Sequence, residues 1–238
     1  EEEHVTASNA ATFVANGGVG AFSQTDLQKA LAGKAVSVGP AIAELREVLT
    51  GSASPKDLET LFQLIWLRFT APRADEEAFS ALRSQLESFL ANRGASPGAA
   101  FQDTLTALLT QHSPRTAPPS VESIQSIELD EAMAFYRERF ADGGDFHFVF
   151  VGAFQLDEMR PLVEQWIAAL PGVEGEESWR DLGIDPPTGR IERTVRKGVE
   201  PQSQTALVVT GPFAYTTENR VRIRALAEIL QVLSLIHI

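Results

Sequence analysis

The sequence predicts an α+β protein, and three observations carry that expectation. SASPKDLETLFQLIWLRFTAP, residues 52–72, reads as a helix punctuated at both ends. FHFVFVGAF, residues 146–154, is the strongest strand signal in the chain, and a helix-spaced apolar run follows it after a short turn. VEGEESWRDLGIDPPTG, residues 173–189, is acidic and rich in Pro and Gly; it is expected to be the linker between a first domain, 1–172, and a second that starts at 190.

Taken in chain order, residues 34–47, KAVSVGPAIAELRE, alternate Val36, Val38 and Ile42 between Gly33 and Gly51. They predict one or two strands, broken near Gly39 and Pro40. In the helix that follows, Pro55 stands in the first turn, where no amide donor is needed, and Ser54 is placed to cap the free amides. Asp57 and Glu59 suit its positive end, and Pro72 disfavours helical geometry at Ala71. Leu58, Leu61, Phe62, Leu64, Ile65, Trp66, Leu67 and Phe69 lie on more than one stripe, so this helix is expected to be buried on most sides.

Residues 75–92 place Phe79, Leu82, Leu86, Phe89 and Leu90 at helical spacing, with acids at the start and Gly94 past the end. Ser96 and Pro97 open another helix through Leu109, before the Pro-rich loop 113–120. A short helix is expected over 121–127 and a longer one over 129–140, with Asp130 and Glu131 early and Arg137 and Arg139 late. Because nearly every position of 146–154 is apolar, that strand is expected mid-sheet with both faces covered. Met159 to Leu170 then repeat at helical spacing until Pro171 and Gly172.

Beyond the linker, residues 190–197 and 205–210 read as strands and 218–232 as a helix, the start of a truncated domain over 190–232. LSLIHI, residues 233–238, breaks the charged pattern and matches the translation of a sequencing-library transposase end, so it is expected to be an adapter-derived tail. Residues 1 and 238 are accordingly expected to be fragment boundaries.

The 238 residues, 44% of them hydrophobic, are enough to bury a sizeable core. Thirty-two acidic against 20 basic residues give a net charge of -12, which opposes a non-specific grip on nucleic acid. With no cysteine there are no disulfides, thiolate metal sites or cysteine nucleophile, but both oxidising and reducing compartments remain open. No apolar run is long enough for a membrane-spanning helix, and EEEHVTASNAA lacks the pattern of a signal peptide.

Candidate chemistry is sparse. His4, His112 and His147 are scattered, none at the i, i+3 or i, i+4 spacing of helical metal ligands. His147, between Phe146 and Phe148, could line a cavity; its expected role is a sheet-face histidine with an ordinary partner. ANGGVG, residues 15–20, lacks the G-x-G-x-x-G spacing and any Walker lysine, and predicts a turn or a close backbone approach. There is no G-x-S-x-G elbow, and EGEE lacks the spaced oxygens of a calcium loop.

Several blocks together, GGVGAFSQTDLQKALAGKAVSV, SASPKDLETLFQLIWLRFTAPRAD, LDEAMAFYRERFADGGDFHFVFVGAF and the helix ending in AALP, resemble the carboxyl-terminal, noncatalytic half of an insulinase/pitrilysin-type zinc peptidase, or inverzincin. The resemblance runs from Gly17 to about Val232. It implies a two-layer domain in which helices cover an antiparallel sheet, as in the mitochondrial processing peptidases, followed by the incomplete start of a second such domain. Paired domains form two bowls that close around a peptide, and only the first carries zinc.

On that resemblance the helix around DLETLFQLIWL stands where a catalytic repeat carries H-x-x-E-H. Leu61 and Ile65 fall at the histidine positions and Leu64 at the glutamate position, and aliphatic groups neither ligate Zn²⁺ nor take a proton. The expectation is therefore no catalytic and no metal-binding residue in this chain, with zinc in an upstream catalytic half. That half and a peptide substrate are the implied partners, and the substrate-binding residues of this chain stay unassigned. The family's substrate-holding arginine and tyrosine follow the helix that ends near Val232 and are not among these residues. The implied role is to shape the chamber that confines a peptide for proteolysis, in a periplasmic or envelope setting. The alternative is a catalytically inactive scaffold or partner subunit of a heteromeric peptidase, which fold alone does not separate from the first reading.

Overall fold

A computed structural model describes residues 2–172, 178–199 and 202–236. Its first unit, Glu1–Gly198, is built on three stretches of apolar periodicity that bury against one another. Helix α1 (Glu2–Asn16) contributes Ala10, Ala11, Phe13 and Val14; α3 (Leu58–Thr70) contributes Leu61, Phe62, Leu64, Ile65 and Phe69; and α7 (Leu129–Arg139) contributes Leu129, Ala132, Met133 and Tyr136. Short α2 (Gln24–Ala30) precedes the hairpin, while α4 (Glu76–Arg93), α5 (Pro97–Leu109) and α6 (Val121–Gln125) lie between α3 and α7. The α+β expectation holds: helices pack on a small antiparallel sheet.

That sheet is a hairpin of β1 (Val36–Ala43) and β2 (Arg46–Ala53), in register from Val36 opposite Ala53 to Ala43 opposite Arg46. The expected break at Gly39 and Pro40 is absent. β1 pairs on one side only, and an edge strand tolerates a residue with no amide to donate. Its alternate residues Val36, Val38 and Ile42 face the core.

The α3 helix ends at Thr70, before Pro72, and is buried on more than one stripe as its sequence requires. Its entrance differs from the expected cap. Ser54 caps no amide; its hydroxyl donates to Asp57 Oδ2 at 2.5 Å, and the same oxygen accepts the Ala35 amide at 3.0 Å. The carboxylate thus ties the start of β1 to the start of α3. The α4 and α5 helices are capped by Asp75 and Ser96, which accept from the amides of Ala78 and Ala99.

The largest correction falls on residues 146–154. They form no strand, and only one face is covered: Phe146, Phe148 and Phe150 are half-buried against the core, whereas Val149 and Val151 are 80% and 93% exposed. A strand needs a hydrogen-bonded neighbour, and no backbone group of 147–151 pairs with any described residue. His147 is accordingly an exposed side chain on an extended segment, not a sheet-face residue. The next helix, α8 (Leu156–Leu162), contains Pro161 and runs into a π-helical turn, Val163–Ile167.

Residues 173–177 of the expected linker lie outside the described residues; 178–189 carry no helix or strand. The expected strands at 190–197 and 205–210 do not form among the described residues. The second unit, Val199–Ile238, contains α9 (Thr217–Ile236), whose Val221, Leu226, Ile229 and Leu230 are exposed. Of the sequence tail at 233–238, residues 237 and 238 lie outside the described residues.

Candidate functional site

The residues at the two expected histidine positions, Leu61 and Ile65, and at the expected glutamate position, Leu64, sit deep in apolar packing. Leu61 and Ile65, one turn apart, join Val14, Phe69, Met133, Tyr136 and Phe140 in one cluster, while Leu64 turns to another with Val19 and Leu27. All three are less than 10% exposed. Among the described residues no three His, Cys, Asp or Glu side chains gather as metal ligands would. Three aliphatic side chains supply no lone pair, so this helix does not fit a zinc ion.

Beside α3 the structure opens. A cavity of about 700 Å³ lies between β2 and the extended segment 145–150, with Leu61 and Ile65 among its lining. At one end Arg139 Nε bonds Glu47 Oε1 at 2.5 Å, a pair mostly withdrawn from solvent. His147 also lines this cavity, whereas His4 bonds the Arg115 carbonyl from α1. A second hollow of about 1050 Å³ shares Arg46, Glu47 and Arg139 with the first and adds Arg115, Trp179 and Arg180.

Two buried polar residues escaped the sequence reading. Arg68 is 5% exposed, and its guanidinium donates to the carbonyls of Ala15 and Gly18, both at 3.3 Å. Ala15 belongs to the last turn of α1, where carbonyls lack helical partners and a cation is favoured. Burial pushes the Arg68 pKa down from its usual range. Tyr136, wholly buried, donates its hydroxyl to the Arg68 carbonyl at 3.0 Å; burial raises its pKa, opposed by the nearby guanidinium. A lone arginine inside an otherwise apolar stripe was the available signal.

The ANGGVG segment is a close backbone approach. Gly18 has φ +95°, and a side chain on Gly17 would meet the Arg73 carbonyl oxygen at 2.3 Å. Val19 and Phe22 exchange backbone bonds there, and the Gly20 amide reaches Ala71. The segment holds α1 against the end of α3.

Helices thus pack on an antiparallel hairpin, and α3 buries Leu61, Leu64 and Ile65 in the core. Residues 126–236 match the family described as Peptidase M16 inactive domain. It is 20% identical over 231 residues to the Haemophilus influenzae protein named Probable zinc protease PqqL, an alignment covering 93% of this chain and 24% of that protein. The structure resembles the periplasmic protease PqqL of Escherichia coli, with TM-score 0.60 and 22% identity over 72% of this chain and 19% of that one. It also resembles a peptidase M16 inactive domain from Pseudomonas fluorescens, with TM-score 0.56 and 18% identity over 72% and 43% of the two chains. A mutant of the ferredoxin protease FusC, in complex with Arabidopsis ferredoxin, gives TM-score 0.58 at 19% identity over 74% and 19%. The chain therefore spans about a quarter of the curated relative's length.

Proposed function

We propose that these residues are the noncatalytic carboxyl-terminal part of a zinc endopeptidase and form one wall of the chamber that confines its peptide substrate. The observation that carries this reading is α3: it stands at the helix expected to hold metal and instead buries Leu61, Leu64 and Ile65 as core. Zinc held by an upstream catalytic half would supply the activated water. This chain contributes shape, a sheet and a rigid helical backing. The chemistry assigned to the relatives by name, and FusC's bound ferredoxin, support a peptide or small protein as substrate. The periplasmic description of the Escherichia coli protease supports an envelope location. No helix among the described residues is long and apolar enough to cross a membrane.

A fluorogenic peptide assay on the 238-residue chain tests the assignment. The expected result is no turnover above buffer; turnover abolished by a chelator overturns it.

A further inference from the structure

We propose that the hollow of about 1050 Å³ at the turn end of the hairpin is a docking site for an acidic peptide segment, one that carries an apolar side chain between spaced carboxylates. Arg46 reaches it from the start of β2, Arg115 from the turn that follows α5, and Arg180 from the stretch 178–184. All three are exposed, and none of their guanidinium groups bonds or pairs with another described residue. Other arginines of the first unit do find carboxylates, as Arg73 finds Asp75 and Arg93 finds Asp103. In a protein with 32 acidic against 20 basic residues, three arginines brought to one hollow from distant parts of the chain and left unpaired mark a place for an outside carboxylate. The planar guanidinium matches a carboxylate with two parallel hydrogen bonds.

Two of the contributing segments are tied in place. His4 Nε2 donates to the Arg115 carbonyl at 3.0 Å, which holds that turn to α1. Gln111, in left-handed backbone with φ 50°, donates its side-chain amide to the Asp185 carbonyl at 2.9 Å, which holds the 178–185 stretch to the end of α5. Arg139 and Glu47 offset each other in the lining, while Glu44 and Asp181 leave the hollow mixed rather than wholly basic. That mixture decides the ligand class. Trp179 and Leu45, 75% and 79% exposed, stand in the same lining as Phe135 and Ile42. A compact polyanion meets two carboxylates and leaves this apolar surface unused. A peptide with an apolar residue between carboxylates sets each group against its complement, and Trp and Arg are the residue types that most often dominate such contacts.

The dimensions agree. At about 3.3 Å along the chain, about 4.8 Å across and about 10 Å deep, an extended residue fills roughly 160 Å³. The hollow therefore takes about six of them. The net charge of -12 works against a second copy of this chain as the occupant, because the two copies repel as wholes. Every lining residue lies in the first unit, so the site needs neither the second unit nor a zinc-bearing half, and it stands apart from the peptidase reading.

Fluorescence anisotropy of a fluorescein-labelled peptide of glutamates and leucines, titrated with the 238-residue chain, tests the site. Saturable binding is expected, weakening as salt rises, and the same peptide with glutamine for glutamate is expected not to bind. Arg46→Gln, Arg115→Gln and Arg180→Gln are each expected to weaken binding about 2- to 5-fold, and the three together on the order of 10-fold or more. Trp179→Ala is expected to weaken it about 5-fold or more. These side chains are exposed, so melting temperatures are expected to stay at the wild-type value. Arg193→Gln, an exposed arginine of the same unit outside the hollow, is expected to leave binding unchanged. Absence of binding overturns the proposal, as does binding that the triple variant retains or that Arg193→Gln weakens equally. Tripolyphosphate bound through the same arginines by a chain that ignores the peptide would assign the hollow to a small polyanion and overturn it. Self-association abolished by the triple variant, again without peptide binding, would assign it to a second copy and overturn it too.

Discussion

The hydroxyl of Tyr136 on α7 donates to the carbonyl oxygen of Arg68 in the last turn of α3, at 3.0 Å and out of contact with solvent. Arg68 in turn reaches back to the carbonyls of Ala15 and Gly18, so three segments meet through one residue. Carbonyls in the last turn of a helix have no helical donor, and Tyr136 supplies one. Tyr136→Phe is expected to keep the stacked rings of Tyr136 and Phe140 and lose the bond, lowering unfolding free energy by about 1 to 3 kcal/mol. Urea unfolding of the two proteins checks it, and equal midpoints would show that the bond contributes nothing.

Replacing Leu61 and Ile65 together with histidine tests what α3 is for. Both side chains are buried among aliphatic and aromatic neighbours. Large-to-small changes at such sites cost roughly 2 to 5 kcal/mol, and an unpartnered polar ring adds a desolvation cost. The double variant is expected to melt well below the parent protein and to gain no peptidase activity. An unchanged melting temperature would mean that this face is not core.

Asp57 should give the fold an acid limit. The Ser54 hydroxyl, and then the Ala35 amide, hold its carboxyl below the usual carboxylate range. A depressed folded pKa means that the contribution is complete above the unfolded value, about 3.9, and is lost as pH falls through the folded one. Asp75 behaves the same way, through the Ala78 amide and then Arg73. Asp57→Ala is expected to lower the melting temperature at neutral pH, and the gap from the wild type should close at acid pH, below about 4. A gap that persists undiminished at pH 2 would assign the loss to packing.

Much of this architecture is legible in the sequence. Pro55, Asp75, Ser96 and Pro72 mark helix ends that the structure keeps, because capping and proline geometry are local. What failed was non-local. Residues 146–154 have the composition of a central strand, but a strand exists only through a neighbour, and no described segment pairs with it. Pro40 misled in the opposite direction, since its tolerance depends on β1 being an edge. The apolar ligand positions on α3 could be read directly, whereas the Arg68–Tyr136 contact spans 68 residues and left no local trace.

Trypsin should report the unevenness of the first unit. Arg180, Arg190, Arg193, Arg196 and Lys197 lie on stretches without helix or strand, whereas Arg68 is buried inside α3. Cleavage is expected first at that group, leaving a protected fragment that includes α1 to α8. Early cuts at Arg68 or Arg137 would contradict the packing described for the core.

Zinc content measures the central claim most directly. After dialysis against buffer without metal, elemental analysis of the full-length parent polypeptide and of residues 1–238 is expected to find zinc bound stoichiometrically by the parent and absent from the 238 residues. Zinc retained stoichiometrically by the 238-residue chain, or no zinc in the parent, would contradict the assignment of these residues to the noncatalytic part of a zinc peptidase.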